Sequence, residues 1–167
     1  MFNSDELVGI VLNGFFQRNQ KLIEESELEL ERLKTQSPVD YERKKRAEEE
    51  LNQRYDFTVC FLDYGQKDGC FIAKGMDEFG KSGLIGRIII PSRARKNNDV
   101  PCGIIFTKEY MGALPESDRI ITRCETIVYH GEIERENNIL VCRGEYIPKD
   151  TITDPKLLKG VWELRSK

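Results

Sequence analysis

Residues 75–82 read Gly75-Met76-Asp77-Glu78-Phe79-Gly80-Lys81-Ser82, the glycine, lysine and hydroxyl spacing of a loop that cradles the phosphates of a nucleotide. Such a loop works because a helix begins at the lysine and turns its free amides toward the anion. Here Ser82 is followed by Gly83 and then Leu84-Ile85-Gly86-Arg87-Ile88-Ile89-Ile90-Pro91, a β-branched run ended by proline, which predicts a strand. Asp77 and Glu78 would also set two negative charges against a triphosphate. The octapeptide is therefore expected to be a glycine-rich hairpin connection between strand-like residues 71–74 and 84–90.

A second anion chemistry is spread over residues 81–98, where Lys81, Arg87, Arg93, Arg95 and Lys96 occur before any acidic residue. Together with Ser82 they form the candidate ligand-binding set, suited to the phosphates of a nucleotide-like molecule or of a nucleic acid. Residues 91–98 have the composition of an exposed loop, where binding residues concentrate. The stretch lacks an aromatic platform of its own, with Phe79, Phe106 and Tyr110 lying outside it. A solvated basic loop that keeps an edge strand from pairing with other chains is the competing meaning.

Phe61-Leu62-Asp63-Tyr64-Gly65 is similar to the strand and turn at the core of Tudor domains, small barrels whose aromatic cages hold methylated arginine or lysine. The likeness covers one strand and its turn, and Gln66 stands where that family often has asparagine. It implies a cation held against ring faces drawn from Phe57, Phe61, Tyr64 and Phe71. Alternating aromatics on a half-buried strand also read simply as core.

Enzymatic sets are mostly removed by subtraction. His130 is the single histidine, which excludes paired-histidine metal sites. A cysteine–histidine couple would have to use Cys124 or Cys142, and strand cysteines more often act as small buried hydrophobes. Glu132 and Glu134 share a strand face and would suit a carboxylate pair or a solvated edge. Asp118, Glu125 and Glu145 have no spacing that requires a metal. Neither a catalytic residue nor a cofactor is assigned.

The elements that must position these groups divide the chain in two. Residues 3–34 read as one long helix opened by Asn3 and Glu6, with Leu12, Phe16, Ile23, Leu30 and Leu33 as its apolar stripe. Ser37, Pro38 and Asp40 restart a helix over 38–54. Glu25, Glu27, Glu29 and Glu31 repel one another along the first helix, and the basic turn Arg43-Lys44-Lys45-Arg46 of the second would offset this if the two fold back antiparallel. From Phe57 onward the runs 57–64, 70–74, 84–90, 102–107, 119–133 and 139–147 are β-branched and aromatic, and 161–164 suits a last strand. The expected fold is α+β: an N-terminal antiparallel helical hairpin within residues 1–55 that sets oligomeric state or docks a partner, followed by a mostly antiparallel β-barrel or sandwich over 56–167.

The bulk composition narrows the function. A chain of 167 residues with 39% hydrophobic side chains closes one modest core. Its 26 basic and 29 acidic residues give a net charge of −3, so any attraction to phosphate must be local. Asp5 and Glu6 oppose a secretory leader, no run approaches the roughly 18 apolar residues of a membrane span, and five unclustered cysteines fit a reducing cytoplasm. The expectation is a non-catalytic intracellular binding protein, a homo-oligomer away from membranes, whose β-domain takes an anionic ligand or a protein partner. A small enzyme acting on a nucleotide or nucleic acid and an assembly protein are the alternatives.

Overall fold

The computed structural model describes residues 2, 4–91, 101–111, 126–149 and 159–167. A short helix α1 (Ser4–Leu7) leads into strand β1 (Val11–Arg18), helices α2 (Gln20–Gln36) and α3 (Pro38–Leu51), and strands β2 (Arg54–Tyr64), β3 (Cys70–Asp77), β4 (Gly80–Ile89), β5 (Cys102–Tyr110), β6 (Ile127–Glu136), β7 (Ile139–Pro148) and β8 (Gly160–Ser166). Each strand pairs antiparallel with the next, and β1 pairs with β8 to close a barrel. Of the two sheet architectures the sequence allowed, the barrel is the one formed. An eight-stranded barrel is just wide enough to be filled by side chains or to hold one small ligand.

The long helix expected over residues 3–34 is corrected by β1. Leu12 and Phe16 are one helical turn apart, which mimics an amphipathic helix. In the structure they occupy alternate inward positions of a strand whose other inward residues are Gly14 and Arg18. A glycine and an arginine on the buried side erase the apolar alternation that marks a strand. Register pairs Phe16 with Tyr55 of β2 and Trp162 of β8, so this segment is barrel wall.

Helical structure therefore does not open the domain as a hairpin: α2 and α3 stand between β1 and β2. Asn19 caps α2 by accepting a hydrogen bond from the Lys21 amide at 2.9 Å. Pro38 takes the first position of α3, and the Ser37 hydroxyl donates to the Asp40 carboxylate at 2.7 Å. Lys44 pairs with Glu29, and the Ser26 hydroxyl donates to Glu48 at 2.6 Å, contacts that run in opposite senses along the two helices and so make them antiparallel. The basic turn thus meets the acidic one as charge balance predicted, and the Lys44 hydrogen bond holds the Glu29 carboxyl below its usual range.

The strands from Phe57 onward fall where the β-branched runs placed them, and β4 is extended directly through Lys81 and Ser82. The part of the expected run 119–133 that precedes Thr126 lies outside the described residues. Inside the barrel, Phe16, Phe57, Phe61, Phe71, Phe106, Tyr129 and Trp162 form one aromatic core, with Phe106 stacked on Tyr129 at 4.8 Å between ring centres. Gly131 and Gly144 face each other across β6 and β7, and a Cβ on Gly144 would overlap the carbonyl oxygen of His130. Beside this close approach the indole Nε1 of Trp162 donates to the carbonyl of Glu145 at 3.1 Å. Among the described residues, no helix is long and apolar enough to cross a membrane.

Candidate functional site

Strand order gives the barrel two ends. One end carries the exit of β1, the helix pair, the β3–β4 turn, the exit of β5, the entry of β6 and the entry of β8; α1 and the β2–β3 and β6–β7 turns lie at the other. Alternation along β4 points Lys81 and Arg87 outward and Ser82 inward. Lys81 lies at the helix-pair end, whereas the Arg87 Nε donates to the Asp68 carbonyl at 2.6 Å near the opposite end. Arg93, Arg95 and Lys96 lie outside the described residues. The candidate set is therefore not gathered into one cluster: Ser82 belongs to the interior, and Lys81 and Arg87 to separate parts of the exterior.

The remaining sequence candidates also separate. Phe57, Phe61, Tyr64 and Phe71 are 1–3% exposed, so the rings of the Tudor-like segment are core and offer no open cage. His130 faces outward, 3.9 Å from Glu145, while Cys142 is buried in the adjoining strand, so the two do not form a couple. Glu134 pairs with Arg143 on the outer surface. Cys124, Asp118 and Glu125 lie outside the described residues, and the described residues contain no group of three metal-ligating side chains. A groove of about 660 Å³ between α2 and α3 is lined by Glu24, Glu27, Glu31, Tyr41 and Glu49.

The chemistry inside the barrel concentrates at the helix-pair end. Cys102, Ile104 and Phe106 face inward on β5, and the same parity carries Lys108 into the interior, where its side chain has no solvent exposure. The Lys108 ammonium pairs with Asp77 and donates to the Tyr110 hydroxyl at 3.0 Å; that hydroxyl donates to Asp77 at 2.9 Å. Rings of Phe16, Phe57 and Tyr110 surround Lys108 with centroids 4.8, 4.5 and 4.6 Å from Nζ. Burial pulls the Lys108 ammonium below its ordinary range, and the Asp77 carboxylate opposes that shift.

Two hydroxyls share this layer. Ser82 stands opposite Gly75 and Tyr110 in register, and Tyr129 packs its ring 5.9 Å from Phe57 and 5.5 Å from Tyr146. Both residues are fully buried, and neither the Ser82 Oγ nor the Tyr129 hydroxyl finds a hydrogen-bond partner among the described residues. Burial, followed by the charges of Tyr146 and Asp77, raises the Tyr129 phenol well above its usual range. It is a neutral O–H at any ordinary pH.

Arg18, the last residue of β1, closes the layer beneath the helices. Its Nη1 meets Glu48 of α3 and donates to Asn52 at 3.0 Å, while the Ser26 hydroxyl of α2 bonds the same Glu48 oxygen. Arg18 and Glu48 are each 5% exposed. Tyr55 and Phe79 lie over the aromatic floor, and the Tyr55 hydroxyl donates to the Glu50 carbonyl at 2.6 Å. The result is a polar layer of paired charges and buried hydroxyls, bounded by aromatic rings.

No protein-family model, curated protein or solved structure matches this chain, so its site is read from its own geometry. Sequence reasoning missed Lys108, Asp77, Tyr110, Tyr129 and Arg18 as one group. One signal was present: an alternating strand whose inward positions run Cys102, Ile104, Phe106 places a lysine at the next, and buried lysines are rare without a partner. Arg18 gave no such signal because its strand reads as helix.

Proposed function

We propose that this chain is a non-catalytic binding protein that encloses a small ligand within the barrel, at the end beneath the helix pair. The observation that carries this reading is the pair of fully buried hydroxyls, Ser82 Oγ and Tyr129, without partners among the described residues and in the same layer as the Lys108–Asp77–Tyr110 cluster. A buried polar group left unmatched costs about 1–3 kcal/mol, so two in one layer suit a ligand that bonds to both. Ligand sites characteristically combine apolar walls with a few convergent polar groups, and the packed rings of Phe16, Phe57 and Tyr146 give this layer its apolar surroundings. Of the anion contacts expected at Lys81, Ser82, Arg87, Arg93, Arg95 and Lys96, this reading uses Ser82.

The test uses single-ring probes that differ in their polar head: benzoate, benzamide and benzyl alcohol, titrated into the full chain by calorimetry and native mass spectrometry. One molecule per barrel is expected to bind, weakened about tenfold, or 1.4 kcal/mol, in Ser82→Ala and in Tyr129→Phe. Both variants are expected to keep or raise the unfolding midpoint, because each removes an unmatched buried group. Binding of none of the probes, or binding indifferent to both substitutions, would contradict the proposal.

A further inference from the structure

Arg18 is bound in an incomplete way. A guanidinium carries five N–H donors in a planar fork that fits a carboxylate through two parallel bonds. Glu48 and Asn52 both meet Nη1, and Nε has no partner among the described residues although the side chain is 5% exposed. Arg18 Nε, Ser82 Oγ and the Tyr129 hydroxyl are buried at this end without hydrogen-bond partners among the described residues; all three can donate, and Nε can do nothing else. These buried donors suit an acceptor. The layer is also electrostatically continuous: Arg18 acts on the Tyr146 phenol, and Tyr146 and Asp77 both act on that of Tyr129.

We propose that Arg18 is the anion-recognising group of the interior and that Glu48 holds its place, so that an organic carboxylate entering the barrel exchanges with Glu48 and loosens the helix pair. This rests on the interior-binding reading and adds the ligand's charge and the response of the fold. Exchange replaces one carboxylate on Arg18 by another, so no buried cation is left uncompensated at the end of the step. Glu48, relieved of Arg18, retains only the Ser26 hydroxyl and moves toward solvent. Glu48 lies on α3 and Ser26 on α2, so the event reaches both helices. The Leu51 side chain and the Tyr55–Glu50 hydrogen bond continue to hold the base of α3 to the barrel, which makes the movement a loosening rather than a detachment.

The experiment compares benzoate with benzyl alcohol on the wild-type chain, Glu48→Gln and Arg18→Gln, by calorimetry and by hydrogen–deuterium exchange over residues 20–51. Glu48→Gln removes the internal competitor and is expected to tighten benzoate about tenfold or more while leaving benzyl alcohol unchanged. Arg18→Gln is expected to abolish the preference for benzoate. In the wild-type chain benzoate is expected to raise exchange in α2 and α3, whereas benzyl alcohol does not. Should Glu48→Gln fail to fold, Ser26→Ala weakens the hold on Glu48 without changing charge and is expected to shift benzoate affinity in the same direction by a smaller factor. If both probes bind and neither responds to residues 18, 26 or 48, the exchange is overturned and interior binding stands. If neither probe binds any of the proteins, both readings fall.

Discussion

Lys108→Ala is expected to lower the free energy of unfolding by about 3–5 kcal/mol, because it leaves the Asp77 carboxylate in a dry interior without its counter-ion. Asp77 and Lys108 have side chains with no solvent exposure, and the Tyr110 hydroxyl alone cannot neutralise the acid. The alanine also removes the side chain beyond Cβ, whose ammonium lies over the rings of Phe16 and Phe57, which adds a cavity term. A double variant, Lys108→Met with Asp77→Leu, removes both charges and keeps the volume, and it is expected to recover most of the loss, as apolar replacements of buried pairs often do. Denaturant titration of the four proteins of the cycle decides the matter. A loss below about 1 kcal/mol in Lys108→Ala is the value of an exposed pair and would contradict the buried assignment.

The same pair predicts a pH dependence with a definite sign. Burial lowers the Lys108 value in the folded chain below the ordinary 10.5, so between the two values the unfolded chain binds more protons and stability rises with pH. The Lys108 contribution is fully present above 10.5 and is lost as pH falls through the folded value. Tyr129 acts the other way: its folded value lies well above 10.0, so above that pH the unfolded chain releases its proton first and stability falls. Stability of the wild-type chain relative to the Lys108→Met, Asp77→Leu variant is therefore expected to climb as pH approaches 10.5. A flat difference would show that Lys108 binds its proton equally in both states.

Trp162→Ala is the second large loss, about 3–5 kcal/mol on the scale of buried aromatic truncations. The indole packs edge-on against Phe106 and Tyr129 at 5.3 and 5.9 Å between centroids, at the seam where β8 meets β7 and β1. Its Nε1 reaches the carbonyls of Glu145 at 3.1 Å and His130 at 3.4 Å, bonding backbone where Gly131 and Gly144 bring two strands unusually close. Removing it leaves a void and takes the donor from two backbone carbonyls. Trp162→Phe keeps most of the ring volume and loses the donor, so its loss is expected to be smaller and to report mainly the hydrogen bonds, with the difference between the two variants measuring the ring packing. Equal losses in the two variants would assign the whole effect to the N–H.

What the chain discloses about itself depends on where its polar residues stand. Strands β2 to β5 and β7 are legible because their runs are rich in β-branched and aromatic residues and turn signals separate them. β1 is not, since Gly14 and Arg18 interrupt its inward face and Leu12 and Phe16 fall at helical spacing. Helices α2 and α3 are legible from Ser37, Pro38 and the opposed charges of Glu29 and Lys44, whereas their place between two barrel strands is not, because nothing local to them encodes the pairing of residues 11–18 with β2 and β8. Ser82 entered the candidate set through a phosphate-loop pattern that the fold does not use, and among the described members of that set it alone reaches the interior. Lys108 and Asp77 lie 31 residues apart, and they meet because β3 and β5 flank β4 in the sheet, which neither strand records alone.

The chain's six tyrosines report on the interior-binding claim most directly. Tyr55, Tyr110, Tyr129 and Tyr146 lie at the helix-pair end, Tyr64 is buried toward the other end, and Tyr41 sits on α3. In a chain labelled with 3-fluorotyrosine, fluorine resonances assigned by single Tyr→Phe substitutions are followed as benzoate is added. Saturable shifts of Tyr129 and Tyr146, with Tyr64 unmoved, are the predicted result; shifts confined to Tyr41, or the absence of any saturable shift, would contradict it.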